Sequence, residues 1–197
     1  MRERVERKQH ITKEFDNKEE FELNWVEASA HPIGAVGLWN SMIKIIKMAK
    51  EKGDDIIVIC EDDHYFTENY SPKLLFKEVT EAYIQGAEVL SGGIGGFGQA
   101  IPAGYHRYKV DWFWCTQFIV IYNRFFDKML DYSFQNTDTA DGVISKLATN
   151  IMVIYPFISE QKDFGYSDVT QSNMEQQSKI REHFARANKH MKSISLK

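Results

Sequence analysis

Apolar residues recur along the chain at two different spacings, which predict helices and strands in alternation. Apolar positions three and four apart predict an amphipathic helix from residue 36 that ends at Gly53. Residues 56–60 (Ile-Ile-Val-Ile-Cys) form an unbroken apolar run, which predicts a central strand buried on both faces. The same patterns predict helices over 5–15, 71–86 and 141–148 and a further helix capped by Asn123, and strands over 21–26, 87–90, 108–113, 117–122 and 151–157.

This alternation predicts a three-layer α/β domain whose sheet is mixed and mostly parallel. A chain of 197 residues that is 43% hydrophobic is long and apolar enough to bury one core. We expect residues 1–158 to form that domain and residues 159–197 to form a polar C-terminal extension. The extension carries a basic amphipathic helix from residue 174, whose apolar stripe is Ile180, Phe184, Ala187 and Met191.

Charge and cysteine content exclude several classes of protein. The net charge is −4, which argues against nucleic acid as the main partner, because such proteins usually present a basic surface. Two cysteines cannot form a disulfide framework, and no apolar run approaches the roughly 20 residues of a membrane span. The first residues lack the apolar segment of a signal peptide, so we expect a cytoplasmic protein.

The strongest chemical signal is the acidic triplet Glu61-Asp62-Asp63 at the end of the most apolar predicted strand. Ligands of open α/β sheets bind outside the carboxyl ends of strands. Three adjacent acids repel one another, and a hard divalent cation would offset that repulsion. Glu61 and Asp63 project to the same side of an extended chain, so they are the predicted ligands of Mg²⁺ or Mn²⁺. The alternative is a solvated acidic turn.

A glycine-rich segment and a pair of tryptophans are candidates for the substrate cleft. Residues 93–98 match G-x-G-x-x-G, but loop sequence follows where a dinucleotide-binding motif requires a helix. Gly95 and Gly96 are therefore predicted to line the cleft or to close over it as a lid, with a purely structural turn as the alternative. Trp112 and Trp114 could stack on a sugar, although core packing also explains such clusters.

Two further acids precede or begin the helix predicted over 141–148. Asp138 is placed to cap that helix by accepting hydrogen bonds from its free N–H groups. Asp141 lies in the first turn, three positions before the apolar Ile144, so it should lean toward the core side at the mouth of the helix. We therefore predict that Asp141, and not Asp138, faces the reaction centre.

Together these motifs resemble the GT-A glycosyltransferases, in particular glycosyltransferase family 25, the type found in bacterial lipopolysaccharide synthesis. The resemblance spans residues 1–158 and rests on the glycine-bearing helix start at 34–37, the strand ending in Glu61-Asp62-Asp63, and Asp141. It implies that the triplet binds the nucleotide sugar, with Glu61 and Asp63 near its ribose and a Mn²⁺ or Mg²⁺ ion, and that Asp141 lies near the acceptor. Family members open with a further strand, so the domain is expected to be N-terminally truncated.

The function expected from the residues and the resemblance is metal-dependent transfer of a hexose from a nucleotide sugar, with a UDP-hexose as the expected donor. The acceptor would be a saccharide in lipopolysaccharide or capsule-type glycan synthesis. An alternative is a non-catalytic remnant that binds saccharide or protein through an exposed sheet edge, with a homodimer as its expected signature. A metal-dependent phosphohydrolase fits less well, because such sites draw more acids and histidines from several strands. Residues 174–192 should dock on the domain or else lie on the inner membrane.

Overall fold

The computed structural model describes residues 5–164 and 179–195, which fold into α-helices and two β-sheets. The helices are α1 (Val5–Glu14), α2 (Gly34–Lys52), α3 (Pro72–Ile84), α4 (Asn123–Leu130), α5 (Ala140–Leu147) and α6 (Lys179–Ser195). The strands are β1 (Ile56–Cys60), β2 (His64–Phe66), β3 (Val89–Ser91), β4 (Ala100–Pro102), β5 (Arg107–Val110), β6 (Phe118–Tyr122), β7 (Ile151–Ile154) and β8 (Ser159–Gln161).

The main sheet has six strands in the order β1-β6-β3-β7-β5-β4, and β2 pairs with β8 in a second, smaller sheet. The predicted α/β class with a mixed sheet is confirmed, but the expectation of a mostly parallel sheet is wrong. Only β3 and β7 run parallel in the main sheet, while every other neighbouring pair is antiparallel. An apolar run indicates that a strand is buried on both faces, but it does not give the direction of the strand. Helices can cover both faces of an antiparallel sheet as they do those of a parallel sheet.

Helices cover both faces of the main sheet, which gives the predicted three layers. Strand β6 is buried along its whole length. Its residues Ile119 and Ile121 pack into a core with α2, α4 and α5, whereas Phe118, Val120 and Tyr122 face the core formed with α1 and α3. Alternate side chains of β6 therefore point to opposite faces of the sheet, and each set packs into a different core.

Strand β1 lies at the edge of the sheet, which corrects its predicted central position. It pairs with β6 on one side, and among the described residues no strand pairs with its other side. Ile56 is accordingly 37% exposed. Residues 21–26 form no strand. Instead, the segment that follows them approaches α2, where the Ser29 N–H donates to Ser41 Oγ over 2.8 Å.

Helix α6 packs its apolar stripe into the core. Phe184, Ala187 and Met191 are buried, and the His190 ring stacks on Phe97 with centroids 4.6 Å apart. This packing contradicts membrane contact through that stripe, because its side chains are already covered by protein. Residues 174–178 of the predicted contact segment lie outside the described residues. Among the described residues, no helix is both long and apolar enough to cross a membrane.

We predict that Phe184→Ala lowers the free energy of unfolding by about 3–5 kcal/mol, because it removes a buried ring from the core. Chemical denaturation measures this loss. Arg186→Gln is the matched control on the exposed side of α6, and it should change stability by no more than about 0.5 kcal/mol. A Phe184→Ala variant with unchanged stability and weaker sedimentation with anionic liposomes would show that the stripe faces a membrane.

Candidate active site

The acidic triplet lies at the end of β1, in the wall of a large open cleft. The cleft has a volume of about 2130 Å³, compared with roughly 300–1,000 Å³ for a typical small-molecule site. Its walls come from α1, the segment before α2, the edge strand β1, residues 115–116 and the start of α5.

Arg7 of α1 lies across two of the three acids. Its Nη1 donates to Asp62 Oδ1 over 2.5 Å, and its Nη2 lies 3.4 Å from Asp63 Oδ2. The Asp63 side chain is 13% exposed and also accepts a hydrogen bond from the Gln161 side chain. Burial raises the pKa of Asp63, while the Arg7 charge and the Gln161 hydrogen bond act in the opposite direction.

Glu61 is held by the segment that leads into β6, the strand paired with β1. The Thr116 hydroxyl donates to Glu61 Oε1 over 2.6 Å, and the Glu61 N–H donates to the Gln117 carbonyl. Burial, followed by repulsion from Asp63, raises the pKa of Glu61 to about 8, although the Thr116 hydrogen bond opposes this shift. The charge of Asp141 adds to the rise, so Asp141 lies within electrostatic range of Glu61.

The pKa of Glu61 has a consequence for stability. Because the folded-state pKa of about 8 exceeds the ordinary value of 4.5, the folded protein retains a proton that the unfolded chain releases between those pH values. Stability should therefore fall as the pH rises from 6.5 to 7.5, with a contribution from Glu61 of up to about 1.4 kcal/mol per pH unit. Below pH 6.5 the buried His64, whose pKa is lowered to about 3, contributes the opposite slope. Glu61→Gln should flatten this dependence in denaturation at both pH values. An equal fall in wild type and variant would contradict the raised pKa.

Asp141 is anchored by an unusual backbone turn at Cys115. Cys115 has a φ of 78°, in the left-handed region that residues other than glycine seldom adopt. In this conformation its N–H donates to Asp141 Oδ2 over 3.1 Å. Strained backbone of this kind often lies at functional sites. The next residue, Thr116, holds Glu61, so one short segment positions acids from β1 and from α5.

Asp138 does not cap α5, which corrects that part of the prediction. The N-cap is Thr139, whose side chain accepts from the Gly142 N–H. Asp138 closes the preceding turn instead, where its Oδ2 accepts from the Gln135 N–H and the Tyr132 hydroxyl. Its carboxylate is therefore engaged outside the cleft wall, whereas Asp141 lies in that wall.

The glycine-rich segment, predicted to line the cleft or to close over it, is packed into the domain beside Trp114. Gly95 and Gly96 exchange backbone hydrogen bonds with Trp114. A Cβ at Gly96 would lie 2.6 Å from the Trp114 ring, so the glycine is required for this close approach. The Trp114 ring remains 46% exposed, and the Trp112 ring centroid lies 5.2 Å away. The segment therefore supports the tryptophan pair, and its role as a lid stays a prediction.

The side-chain oxygens of the site supply only some of the ligands that a divalent cation needs. Glu61 and Asp63 offer the hard carboxylate oxygens that Mg²⁺ and Mn²⁺ take. However, the described residues contain no group of three or more ligating side chains that could hold a metal. Mg²⁺ is commonly bound by one or two carboxylates together with substrate phosphates, and this pair matches that arrangement.

Three residues that organise the site have no recognisable signal in the sequence. Arg7 and Thr116 each lie 55 positions from the acid that they contact. Cys115 follows an aromatic run and has no glycine or asparagine character to predict its left-handed backbone. Such pairings depend on how α1 and β6 pack beside β1.

Comparison with known proteins gives structural likeness without sequence relatives. No protein-family model matches the chain, and no curated protein matches it in sequence, so membership of glycosyltransferase family 25 stays a prediction. The chain is similar to the crystal structure of A197 from STIV, with 15% identity, a TM-score of 0.54, and coverage of 79% of this chain and 78% of that chain.

Two structures of UDP-glucose pyrophosphorylase are also similar. The apo form has 9% identity and a TM-score of 0.44, covering 80% of this chain and 60% of that chain. The complex with UDP-glucose has 10% identity and a TM-score of 0.49, covering 96% of this chain and 73% of that chain. At these identities, the likeness to A197 shows that the two chains share an α/β fold, and the chemistry has to be argued from the site.

Proposed function

We propose that the protein is a glycosyltransferase that moves a hexose from a nucleotide sugar, a UDP-hexose, to a saccharide acceptor. The observation that carries the proposal is the convergence of three carboxylates, those of Glu61, Asp63 and Asp141, on one cleft at the end of β1. Thr116 and the Cys115 N–H hold two of them in place. The sequence resemblance to the GT-A glycosyltransferases assigns roles to the same three residues.

In this proposal, Glu61 and Asp63 bind the donor. Their carboxylates would hold a Mn²⁺ or Mg²⁺ ion jointly with the phosphates of the nucleotide sugar. When bound, such an ion supplies positive charge that stabilises the departing nucleoside diphosphate. Asp62 would contact the donor only indirectly, through its hydrogen bond to the Arg7 guanidinium, which also lies beside Asp63.

Asp141 would act on the acceptor as the general base. The proton of an acceptor hydroxyl passes to the Asp141 carboxylate while the acceptor oxygen bonds to the anomeric carbon of the hexose. The bond from that carbon to the diphosphate oxygen breaks, and the diphosphate leaves with the electron pair. The Cys115 N–H would keep the carboxylate oriented during the transfer.

The tryptophan pair is our proposed acceptor surface. Trp114 presents an exposed ring and directly precedes the cleft-lining Cys115, and Trp112 lies beside it. Aromatic faces pack well against the apolar faces of sugar rings. Gly95 and Gly96 would serve this surface by allowing Trp114 to lie close to the backbone.

A thermal-shift panel of nucleotides tests the proposal. Wild-type protein should be stabilised by a UDP-hexose in the presence of Mn²⁺ much more than by either component alone, because binding to the folded state raises its apparent stability. Adenosine and guanosine diphosphate sugars are the matched controls for the base. No response to any nucleotide sugar, with or without metal, would contradict the proposal.

The outer edge of β1, which has no partner strand among residues 5–164 and 179–195, favours a second candidate function, a binding module that dimerises. This edge offers backbone N–H and C=O groups to another strand, and its side chains are apolar. Light scattering after size exclusion would give a dimer mass in this case. The molecular mass alone does not test the transferase proposal, which is decided by nucleotide binding.

A further inference from the structure

Arg7 already occupies the position beside the acidic triplet where a cation is expected. Its side chain is 7% exposed, and its guanidinium contacts both Asp62 and Asp63. The ring of Phe164 lies beneath the guanidinium carbon, at 5.0 Å from the ring centroid. Arginine in this arrangement is held by two carboxylates and by a cation–π contact, so it is a built part of the site.

The helix that carries Arg7 is firmly attached to the domain. Ile11 and Phe15, which follow on the same side, are buried in the core. The Glu14 carboxylate accepts from the Phe66 N–H over 3.0 Å, and His10 Nε2 lies 2.8 Å from the His64 carbonyl oxygen. Helix α1 is therefore held to the domain by contacts other than those of Arg7, whose long side chain reaches the triplet.

We propose that Arg7 is a resident counter-ion that competes with divalent metal for Asp63. While Arg7 lies against Asp62 and Asp63, their charge is compensated, and the free protein binds metal weakly. A metal ion that takes Asp63 must displace the guanidinium from it. This inference rests on the proposed metal site, but it concerns the metal alone and does not require the nucleotide sugar.

The chemistry of arginine also gives the displaced side chain a destination. A guanidinium binds phosphate with the same paired hydrogen bonds that it makes to carboxylates. A diphosphate in the cleft would accept Arg7 and leave Asp63 to the metal. Nucleotide and metal would then bind with positive cooperativity, because each removes an obstacle to the other.

Titration of the protein with Mn²⁺ alone at pH 8, monitored by electron paramagnetic resonance, tests whether Arg7 competes with the metal. Arg7→Gln should bind Mn²⁺ about tenfold or more tightly than wild type, because the competing cation is gone. Lys13→Gln removes the same charge from an exposed position of α1 and should match wild type. Equal affinity in wild type and Arg7→Gln, including no measurable binding by either, would overturn the inference. An equal gain in Lys13→Gln would also overturn it, since net charge alone would then explain the effect.

Arg7→Lys serves as a second variant should Arg7→Gln fail to fold. Lysine keeps the charge, but its single ammonium group cannot bridge both carboxylates as the guanidinium does. Its Mn²⁺ affinity should exceed that of wild type, and an affinity equal to wild type would overturn the inference. Repeating the wild-type titration with UDP separates the two proposals. A contrast between wild type and Arg7→Gln without any effect of UDP would support the Arg7 competition and contradict the nucleotide-sugar function.

Discussion

Replacement of Asp141 with asparagine is expected to lower turnover by roughly 100-fold or more while donor affinity is retained. Asparagine has nearly the same size and can still accept the Cys115 N–H, so the turn at Cys115 should persist. It cannot accept a proton from the acceptor hydroxyl, so the chemical step should slow. Release of UDP in the presence of a saccharide acceptor measures turnover, and calorimetry measures donor affinity.

The matched control is Asp138→Asn, three residues earlier. Asp138 accepts hydrogen bonds from Tyr132 and Gln135, away from the cleft wall. Its replacement should leave turnover nearly unchanged and lower stability by about 1 kcal/mol at most. If Asp138→Asn loses activity and Asp141→Asn keeps it, the base has been assigned to the wrong residue.

Asp63→Asn is expected to abolish metal-dependent nucleotide binding while the fold remains intact. The substitution removes one of the two carboxylates proposed to hold the metal, and one remaining carboxylate gives a divalent ion too few hard ligands. We expect at least a 100-fold loss in the affinity for UDP in the presence of Mn²⁺, measured by calorimetry. The fold should survive because the variant also removes an acid that burial and its acidic neighbour Asp62 disfavour in its charged form.

The control for this prediction is an acid outside the cleft. Asp127 on α4 is exposed and forms an ion pair with Lys50. Asp127→Asn removes the same charge from the protein and should leave UDP binding unchanged. Normal binding of Mn²⁺ and UDP by Asp63→Asn would show that the donor site lies elsewhere.

Local sequence patterns predicted most of the long elements because their causes are local. Helix α2 ends at Gly53, whose φ of 76° suits glycine. Helix α3 begins after Ser71, which accepts from the Leu74 N–H, and Pro72 occupies the first turn. Strand β1 appeared within the predicted bounds. Each of these boundaries depends on residues within a few positions of one another.

Sheet order and strand direction could not be predicted in the same way. The apolar run of β1 indicated a buried strand, yet it lies at the edge of the sheet beside an open cleft. Strands β2, β4 and β8 have only three residues each, too few to show a period. Their pairing is decided by which segments meet in space.

The residues of the candidate site likewise include some that local sequence predicted and some that it could not. Glu61, Asp63 and Asp141 were found because acids at the end of a strand or the start of a helix are conspicuous in the sequence. Arg7 and Thr116 were not found, because their contacts with Asp62 and Glu61 each span 55 residues. The predicted acids lie in the cleft wall, but the residues that hold them in position could be identified only from the folded structure.

The measurement that tests the central claim most directly is the nuclear magnetic resonance spectrum of ¹⁵N-labelled protein with UDP and Mn²⁺, compared with UDP and Mg²⁺. Paramagnetic Mn²⁺ broadens the signals of nearby amides, so it reports where the metal and nucleotide bind. The proposal predicts selective broadening of the amide signals of four cleft residues, Glu61, Asp63, Thr116 and Asp141. The amide signals of Glu78 and Arg107, whose side chains form an ion pair away from the cleft, should be unaffected. Broadening centred elsewhere, or no broadening when UDP is present, would contradict the assignment of this cleft as the nucleotide-sugar site.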